Sequence, residues 1–148
     1  MSAAVLLDAG PLGLLSNPNR SPQVLACRVW LSSLQAAGRR LVVPEITDYE
    51  VRRELIRIRS HSALANLDAL GAMLEYLPLT TGAIRLAAEL WAQARNVGQP
   101  TAPDAALDGD VILAAQALYL NTPVVVATAN PGHLTRFVAA ELWSNITP

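Results

Sequence analysis

Short apolar runs along the chain alternate with longer stretches in which apolar residues recur every three or four positions. The runs Ala4–Leu7, Leu41–Val43 and Val124–Ala127 predict buried strands, and the valines of the third are typical of a central parallel strand. Weaker strands are predicted at Leu77–Leu79, whose proline favours an edge position, and at Glu141–Trp143.

Stretches with helical spacing separate these strands. Helices are predicted over residues 12–16, 22–37, 44–59, 62–76, 80–96, from the Asp108–Asp110 stretch to about 120, and over 134–138. In the fifth helix, Ile84, Ala87, Ala88 and Trp91 are expected to point inward. Strands that alternate with helices predict an α/β fold, with a parallel sheet and helices on both faces.

Length and apolar content predict one soluble domain over residues 1–148, long enough to bury a core. The hydrophobic fraction of 52% and the mean hydropathy of +0.30 are high, and we interpret the excess as a subunit interface. No apolar run approaches the ~20 residues that span a bilayer. No signal peptide is expected before Asp8, and the lone Cys27 cannot form an internal disulfide, so the predicted location is the cytoplasm.

The charged residues exclude several kinds of chemistry. The net charge is −1, and all eleven basic residues are arginine. A chain without lysine has neither a phosphate-binding Walker lysine nor a lysine that forms a Schiff base. No overall basic field draws the protein onto nucleic acid, so any such binding must be local.

Polar oxygen groups stand where predicted strands end and where one predicted helix starts. Because parallel strands end at the same edge of a sheet, these groups are expected to meet in one crevice. The candidates are Asp8, Glu50, Asp108 or Asp110, and Asn130 with Thr128. Oxygen donors suit Mg²⁺ or Mn²⁺, which lower the pKa of an attacking water and stabilise an in-line displacement at phosphorus.

Asp108 and Asp110 cannot both face one ion from the same helix, because residues two apart point about 200° away from each other. Ala114 and Ala117 follow Asp110 on a stripe of small residues that permits close packing on a sheet. We therefore prefer Asp110 as the ligand, with Asp108 as the N-cap or an outer partner. Asp104 is interpreted as a loop acid or a cap.

Other side chains leave alternatives open. Glu50 shares a helix face with Arg53 and Arg57, so its carboxylate either faces a metal or forms a surface salt bridge with Arg53. The two arginines are either solvated or guide a polyphosphate chain into the acidic crevice. His133 is expected to pack against or cap the turn before it. Neither a serine-hydrolase elbow nor a Cys/His zinc pattern is found.

Four segments together resemble the PIN-domain family, whose best-known members are the ribonuclease toxins of VapBC toxin–antitoxin pairs. Ala4–Leu12 resembles the first strand with its acid, and Leu41–Leu55 resembles the segment that carries the second acid. Asp110–Ala117 matches the D-x-x-I-A-A-x-A helix start, and Val125–Leu134 resembles the v-x-T-x-N-x-x-H-F segment. The four motifs are in the family's order and cover nearly the whole chain.

The resemblance implies an α/β/α sandwich with a short parallel sheet, Mg²⁺ or Mn²⁺ as cofactor, and endonucleolytic cleavage of RNA. It also implies a homodimer and a VapB-like antitoxin as partner. Carried over by position, Asp8, Glu50 and Asp110 are the metal ligands, Asn130 replaces a fourth acid, and Thr128 orients waters or a ligand. The alternative function is a PIN-like module that binds RNA or protein with little catalysis.

Overall fold

The structure is a computed structural model that describes residues 2–97 and 104–148, with side chains in the second range from Asp108 onward. The strands are β1 (Ala4–Leu7), β2 (Leu41–Pro44), β3 (Glu75–Leu77), β4 (Val124–Thr128) and β5 (Ala140–Leu142). The helices are α1 (Ala9–Ser16), α2 (Pro22–Ala36), α3 (Glu45–Arg57), α4 (His61–Met73), α5 (Thr81–Asn96) and α6 (Asp104–Tyr119), followed by the 3₁₀ helices Leu134–Arg136 and Trp143–Asn145.

The five strands form one sheet in the order β3-β2-β1-β4-β5, and every pairing is parallel. β1 lies in the middle, where Leu6 is in register with Val42 of β2 and with Val126 of β4. The carboxyl ends of these three strands therefore lie side by side at one edge of the sheet.

Alternate residues of β1 supply the two faces of the sheet. Val5 and Leu7 pack into a core with α1, α2 and α4, whereas Ala4 and Leu6 pack into a second core with α6. α5 lies against α6 through small residues such as Ala87 and so thickens the second layer. The predicted α/β/α sandwich with a short parallel sheet is confirmed. None of the described helices is both long and apolar enough to cross a bilayer.

The region around residues 73–79 corrects two sequence predictions. The predicted helix over 62–76 ends at Met73, and the edge strand lies at Glu75–Leu77 instead of Leu77–Leu79. Residues 75–77 pair in parallel with Val42–Pro44, so strand pairing overrides the helical spacing of the local sequence. The predicted edge position is correct, because β3 has a neighbour on one side only.

The apolar stripe of α5 is placed differently from the prediction. Ala87 is buried, as expected, but Ile84, Ala88 and Trp91 are exposed. Small residues let α5 approach α6 closely, which leaves the bulky side chains of Ile84 and Trp91 along an open apolar groove between the two helices. The prediction that these three residues point inward is wrong.

Candidate metal centre

Asp8 follows β1 directly and is held by backbone and side-chain partners. Its backbone N–H donates to the carbonyl oxygen of Ala127 over 2.9 Å, which extends the register of β1 and β4 by one residue. Oδ1 accepts a hydrogen bond of 2.7 Å from the N–H of Ala9, as an N-cap of α1. Oδ2 accepts a hydrogen bond of 2.7 Å from the hydroxyl of Thr128. Both carboxylate oxygens are therefore fixed.

The segment after β4 packs closely against the start of α1. A Cβ added at Gly10 would lie 2.7 Å from the Cβ of Ala129, so only glycine permits this approach. Asn130 donates its backbone N–H to the hydroxyl oxygen of Thr128 over 3.1 Å. Its side-chain Oδ1 accepts from the N–H of Gly132 over 3.2 Å. The described hydrogen bonds thus place Asn130 in the turn that supports Thr128.

Glu50 lies on α3 and is half-buried. Burial raises the pKa of its carboxyl group, and the negative charges of Asp8 and Asp110 raise it further, while Arg53 acts in the opposite direction. Among the described residues, no salt bridge joins Glu50 to Arg53, whose guanidinium lies 5.0 Å from the ring centroid of Tyr49. The surface salt bridge considered as an alternative is not formed.

The two candidate acids of α6 point in different directions. Asp110 is half-buried, and its pKa is raised by burial and by the charge of Asp8 and lowered by the side chains of His133 and Arg136. Asp108 is exposed and lines the apolar groove beside α5. The prediction of Asp108 as an N-cap is wrong, because α6 starts four residues earlier, at Asp104.

Two further sequence interpretations concern residues 97–104. Most of the predicted loop Val97–Pro103 lies outside the described residues. Asp104 is the first residue of α6, so its interpretation as a loop acid is wrong, and its side chain lies outside the described residues, so a capping role stays a prediction.

Of the two arginines considered in the sequence, Arg53 acts on the pKa of Glu50, whereas Arg57 has another partner. Arg57 forms a salt bridge with Glu54, which turns it toward its own helix surface. His133, expected to pack against or cap the turn, is exposed and close enough to Asp110 to lower its pKa, as is Arg136. Arg136 donates from Nε to the carbonyl oxygen of His133 over 3.3 Å. His133 is the histidine of the T-x-N-x-x-H segment, whereas no sequence pattern marks Arg136, which lies three residues further on.

We call Asp8, Glu50 and Asp110 the acidic cluster; Asp8 lies directly after β1, Glu50 on α3 and Asp110 on α6. The described residues hold no group of three Asp, Glu, His or Cys side chains already close enough to bind one metal ion together. The donor set nevertheless has the chemistry that a divalent cation prefers, since it offers only carboxylate oxygens and Oε2 of Glu50 lies against Gly109, next to Asp110. Mg²⁺ also needs only one or two carboxylates, because it keeps several waters.

Comparisons with known proteins agree with this architecture. A family model described as PIN domain matches residues 5–136. VapBC2 from Rickettsia felis, solved bound to a DNA fragment from its promoter, is 16% identical, with a TM-score of 0.73 over 95% of this chain and 98% of that chain. FitAcB from Neisseria gonorrhoeae is 20% identical, with a TM-score of 0.68 over 96% and 99% of the two chains.

A third similar structure is Mycobacterium tuberculosis VapC20, a toxin that cleaves the sarcin-ricin loop. It is 15% identical, with a TM-score of 0.65 over 98% of this chain and 100% of that chain. At these identities the similarity shows the fold alone. No curated protein sequence matches the chain.

Proposed function

The chain belongs to the PIN-domain family, and we propose that it is an Mg²⁺- or Mn²⁺-dependent endoribonuclease that acts as the toxin of a toxin–antitoxin pair. The observation that carries this proposal is the acidic cluster. Its members lie on three separate elements, yet the charges of Asp8 and Asp110 raise the pKa of Glu50. Carboxylates that raise one another's pKa repel each other, and a divalent cation bound among them would offset that repulsion.

The residues of the proposed site have two roles, metal binding and orientation of a metal ligand. Asp8, Glu50 and Asp110 would hold the ion, which supplies the Lewis acidity that activates a water and neutralises charge on a phosphodiester. Thr128 keeps Asp8 in one orientation through its 2.7 Å hydrogen bond. Without metal the pKa values of Glu50 and Asp110 are raised, because burial and like charge oppose their ionised forms, and a bound cation would relieve that repulsion.

RNA as substrate is supported by the cations beside the cluster and by a relative. Arg136 places positive charge near Asp110, and the side chain of His133 also lowers the pKa of Asp110. A polyphosphate chain would otherwise be repelled by three carboxylates. VapC20, which has the same fold, is described as cleaving the sarcin-ricin loop, which is RNA.

Partners are proposed from the relatives and from the exposed apolar surface. VapBC2, FitAcB and further VapBC structures were solved as complexes, which supports a VapB-like antitoxin for this chain. Exposed Ile84 and Trp91 are apolar surface available for a homodimer or an antitoxin contact. We place the protein in the cytoplasm, where its RNA substrate is found and where the buried thiol of Cys27 stays reduced.

Purified protein is expected to cleave a labelled structured RNA when Mn²⁺ or Mg²⁺ is present and to stop when EDTA is added. Gel analysis of the products measures the rate, and added metal in excess of EDTA should restore it. RNA binding without cleavage under every metal condition would contradict the proposal and support the alternative, a PIN-like binding module.

Arg136→Gln is expected to weaken RNA binding by about tenfold, because a charge-assisted contact to phosphate contributes about 1.5 kcal/mol. Loss of one phosphate contact should also reduce the slope of log Kd against log salt by about 0.7 for single-stranded RNA. Fluorescence anisotropy across a salt series measures both. The matched control is Arg57→Gln, since Arg57 is already paired with Glu54. Equal Kd values for the two variants would contradict a role for Arg136. A higher Kd for Arg57→Gln than for the parent would support the interpretation that Arg57 guides the polyphosphate chain.

A further inference from the structure

Gln116 is a fully buried polar residue of α6 that takes no part in the acidic cluster. Its side-chain Oε1 accepts a hydrogen bond of 3.1 Å from the N–H of Ile46, in the first turn of α3. Its Nε2 donates to the carbonyl oxygens of Leu77 over 2.9 Å and Pro78 over 3.3 Å. With 1% of its surface exposed, the side chain has no access to water, and these bonds satisfy all its polar atoms.

The contact with Ile46 takes the place of a helix cap. The first N–H groups of a helix lack partners within it and are usually satisfied by a side chain at the N-cap. In α3 the N-cap is Pro44, which provides no side-chain hydrogen bond. Gln116 supplies the acceptor from another helix, so the start of α3 is tied to α6.

The same face of α6 also contacts Glu50. Gly109 and Gln116 are seven positions apart, which is two helical turns and one face. On α3, Ile46 and Glu50 are four positions apart, again on one face. A Cβ added at Gly109 would lie 2.7 Å from Oε2 of Glu50, so the carboxylate rests directly against the backbone of α6. The two helices therefore meet at two points, Gln116 with Ile46 and Gly109 with Glu50.

We propose that Gln116 is a positioning residue that fixes α3 against α6 and thereby sets where the carboxylate of Glu50 lies relative to Asp110. This inference rests on the proposed function, since it gives that spacing a role in cleavage. Removal of a side chain that hydrogen-bonds a metal ligand typically lowers metal affinity or activity by 10–100-fold. Gln116 acts at a greater distance, through the helix that carries Glu50.

Gln116→Met tests the proposal, because methionine has a similar length but can make none of the three hydrogen bonds. We expect kcat to fall by about tenfold with KM unchanged, and the Mn²⁺ concentration for half-maximal activity to rise. Hydrogen exchange of the Ile46 amide should become faster, which reports the lost contact without reference to activity.

Trp30→Phe is the matched control. It deletes another buried hydrogen bond, the 2.9 Å contact from Nε1 of Trp30 to the carbonyl oxygen of Ile146, in the core on the opposite face of the sheet. We expect this variant to lower Tm as Gln116→Met does while it retains the kcat of the parent. Equal losses of kcat in both variants would show a general effect of stability and would overturn the positioning role.

Gly109→Ala perturbs the other contact point and keeps Gln116. Its Cβ should displace the flexible end of Glu50 without unfolding α6, since alanine is the better helix former. Both substitutions shift Glu50, so we expect the double variant to lose less than the product of the two single losses. Fully multiplicative losses would overturn the shared mechanism.

Failure of the inference can be told apart from failure of the proposed function. A parent that cleaves no RNA with Mn²⁺ overturns the function. An active parent whose kcat is unchanged in folded Gln116→Met overturns the positioning role and leaves the function intact. If Gln116→Met does not fold, Gln116→Glu replaces it. This variant still offers an acceptor to the N–H of Ile46, so the positioning role predicts a kcat near that of the parent, and a tenfold loss of kcat in folded Gln116→Glu would overturn that role.

Discussion

Asp110→Asn is expected to reduce RNA cleavage by at least about 100-fold, whereas Asp108→Asn, only two residues away, is expected to stay within about twofold of the parent. The substitutions remove the same charge from the same helix. The two side chains point in different directions, because Asp110 is half-buried near Asp8 whereas Asp108 is exposed beside the groove along α5. The pair therefore separates a role at the metal from a general effect of negative charge.

The physical reason for the large loss is the small number of ligands that Mg²⁺ takes from a protein. With one or two carboxylates bound directly, the loss of either removes a large part of the binding free energy. Asparagine keeps the size of Asp110 and one of its oxygens, so the packing of α6 is preserved. Asp8→Asn should cause a similar loss, since Asp8 is the member whose charge acts on both others.

The measurement is kcat/KM on one labelled RNA with Mn²⁺ at saturation, together with circular dichroism to show that each variant is folded. Equal activities of Asp108→Asn and Asp110→Asn would contradict the assignment. A loss of activity confined to Asp108→Asn would mean that Asp108, about 200° away on the helix, faces the cluster in place of Asp110.

The arrangement of the acidic cluster illustrates what local sequence can predict. Asp8 directly follows a run of four apolar residues, and parallel strands end at one edge of the sheet, so its place near Thr128 follows from the strand pattern alone. The preference for Asp110 over Asp108 rests on the helical repeat together with the small residues Ala114 and Ala117 on the same stripe. Such features depend on periodicity within one element, which the sequence states directly.

Features that depend on contacts between distant elements were missed. Gln116 stands within the alanine-rich sequence of α6, and its partner Ile46 is 70 residues away, so nothing local marks it. β3 was placed two residues late because its three residues are defined by pairing with β2. His133 and Arg136 come near Asp110 only through the 3₁₀ helix that follows the turn at Asn130. In each case tertiary contacts, and not local propensity, decide the outcome.

The acidic cluster is expected to destabilise the metal-free protein at neutral pH. Burial and like charge raise the folded-state pKa of Glu50 and Asp110 above their unfolded values. The folded state therefore binds more protons than the unfolded state, and the contribution of these groups to stability falls as pH rises from the unfolded values, near 4, through the raised folded values. Glu54 and Glu75 contribute with the opposite sign, because hydrogen bonds from Arg57 and Arg40 lower their pKa.

The Tm of Glu50→Gln, compared with that of the parent at two pH values, separates the effect of the acidic cluster from those of Glu54 and Glu75. Without metal, Glu50→Gln should have a higher Tm than the parent at pH 7 and a smaller difference from it at pH 4, where the carboxyl groups are protonated. Differential scanning calorimetry in EDTA measures both. A Tm below that of the parent at pH 7 would contradict the electrostatic argument, since it would mean that the carboxylate of Glu50 stabilises the fold without an ion.

Bound metal should raise the Tm of the parent and so remove the advantage that Glu50→Gln has without metal. A ligand at 100 times its Kd that binds only the folded state adds about 2.7 kcal/mol, which corresponds to a rise in Tm of roughly 5–10 °C for a chain of this size. The parent should show this rise with Mn²⁺ or Mg²⁺ at pH 7, and Asp110→Asn should lose most of it. Asp108→Asn should keep it, because its carboxylate does not face the cluster. A parent whose Tm does not respond to either metal would contradict the metal site even if RNA cleavage were observed, because the cation that relieves the repulsion among Asp8, Glu50 and Asp110 must also stabilise the fold that brings them together.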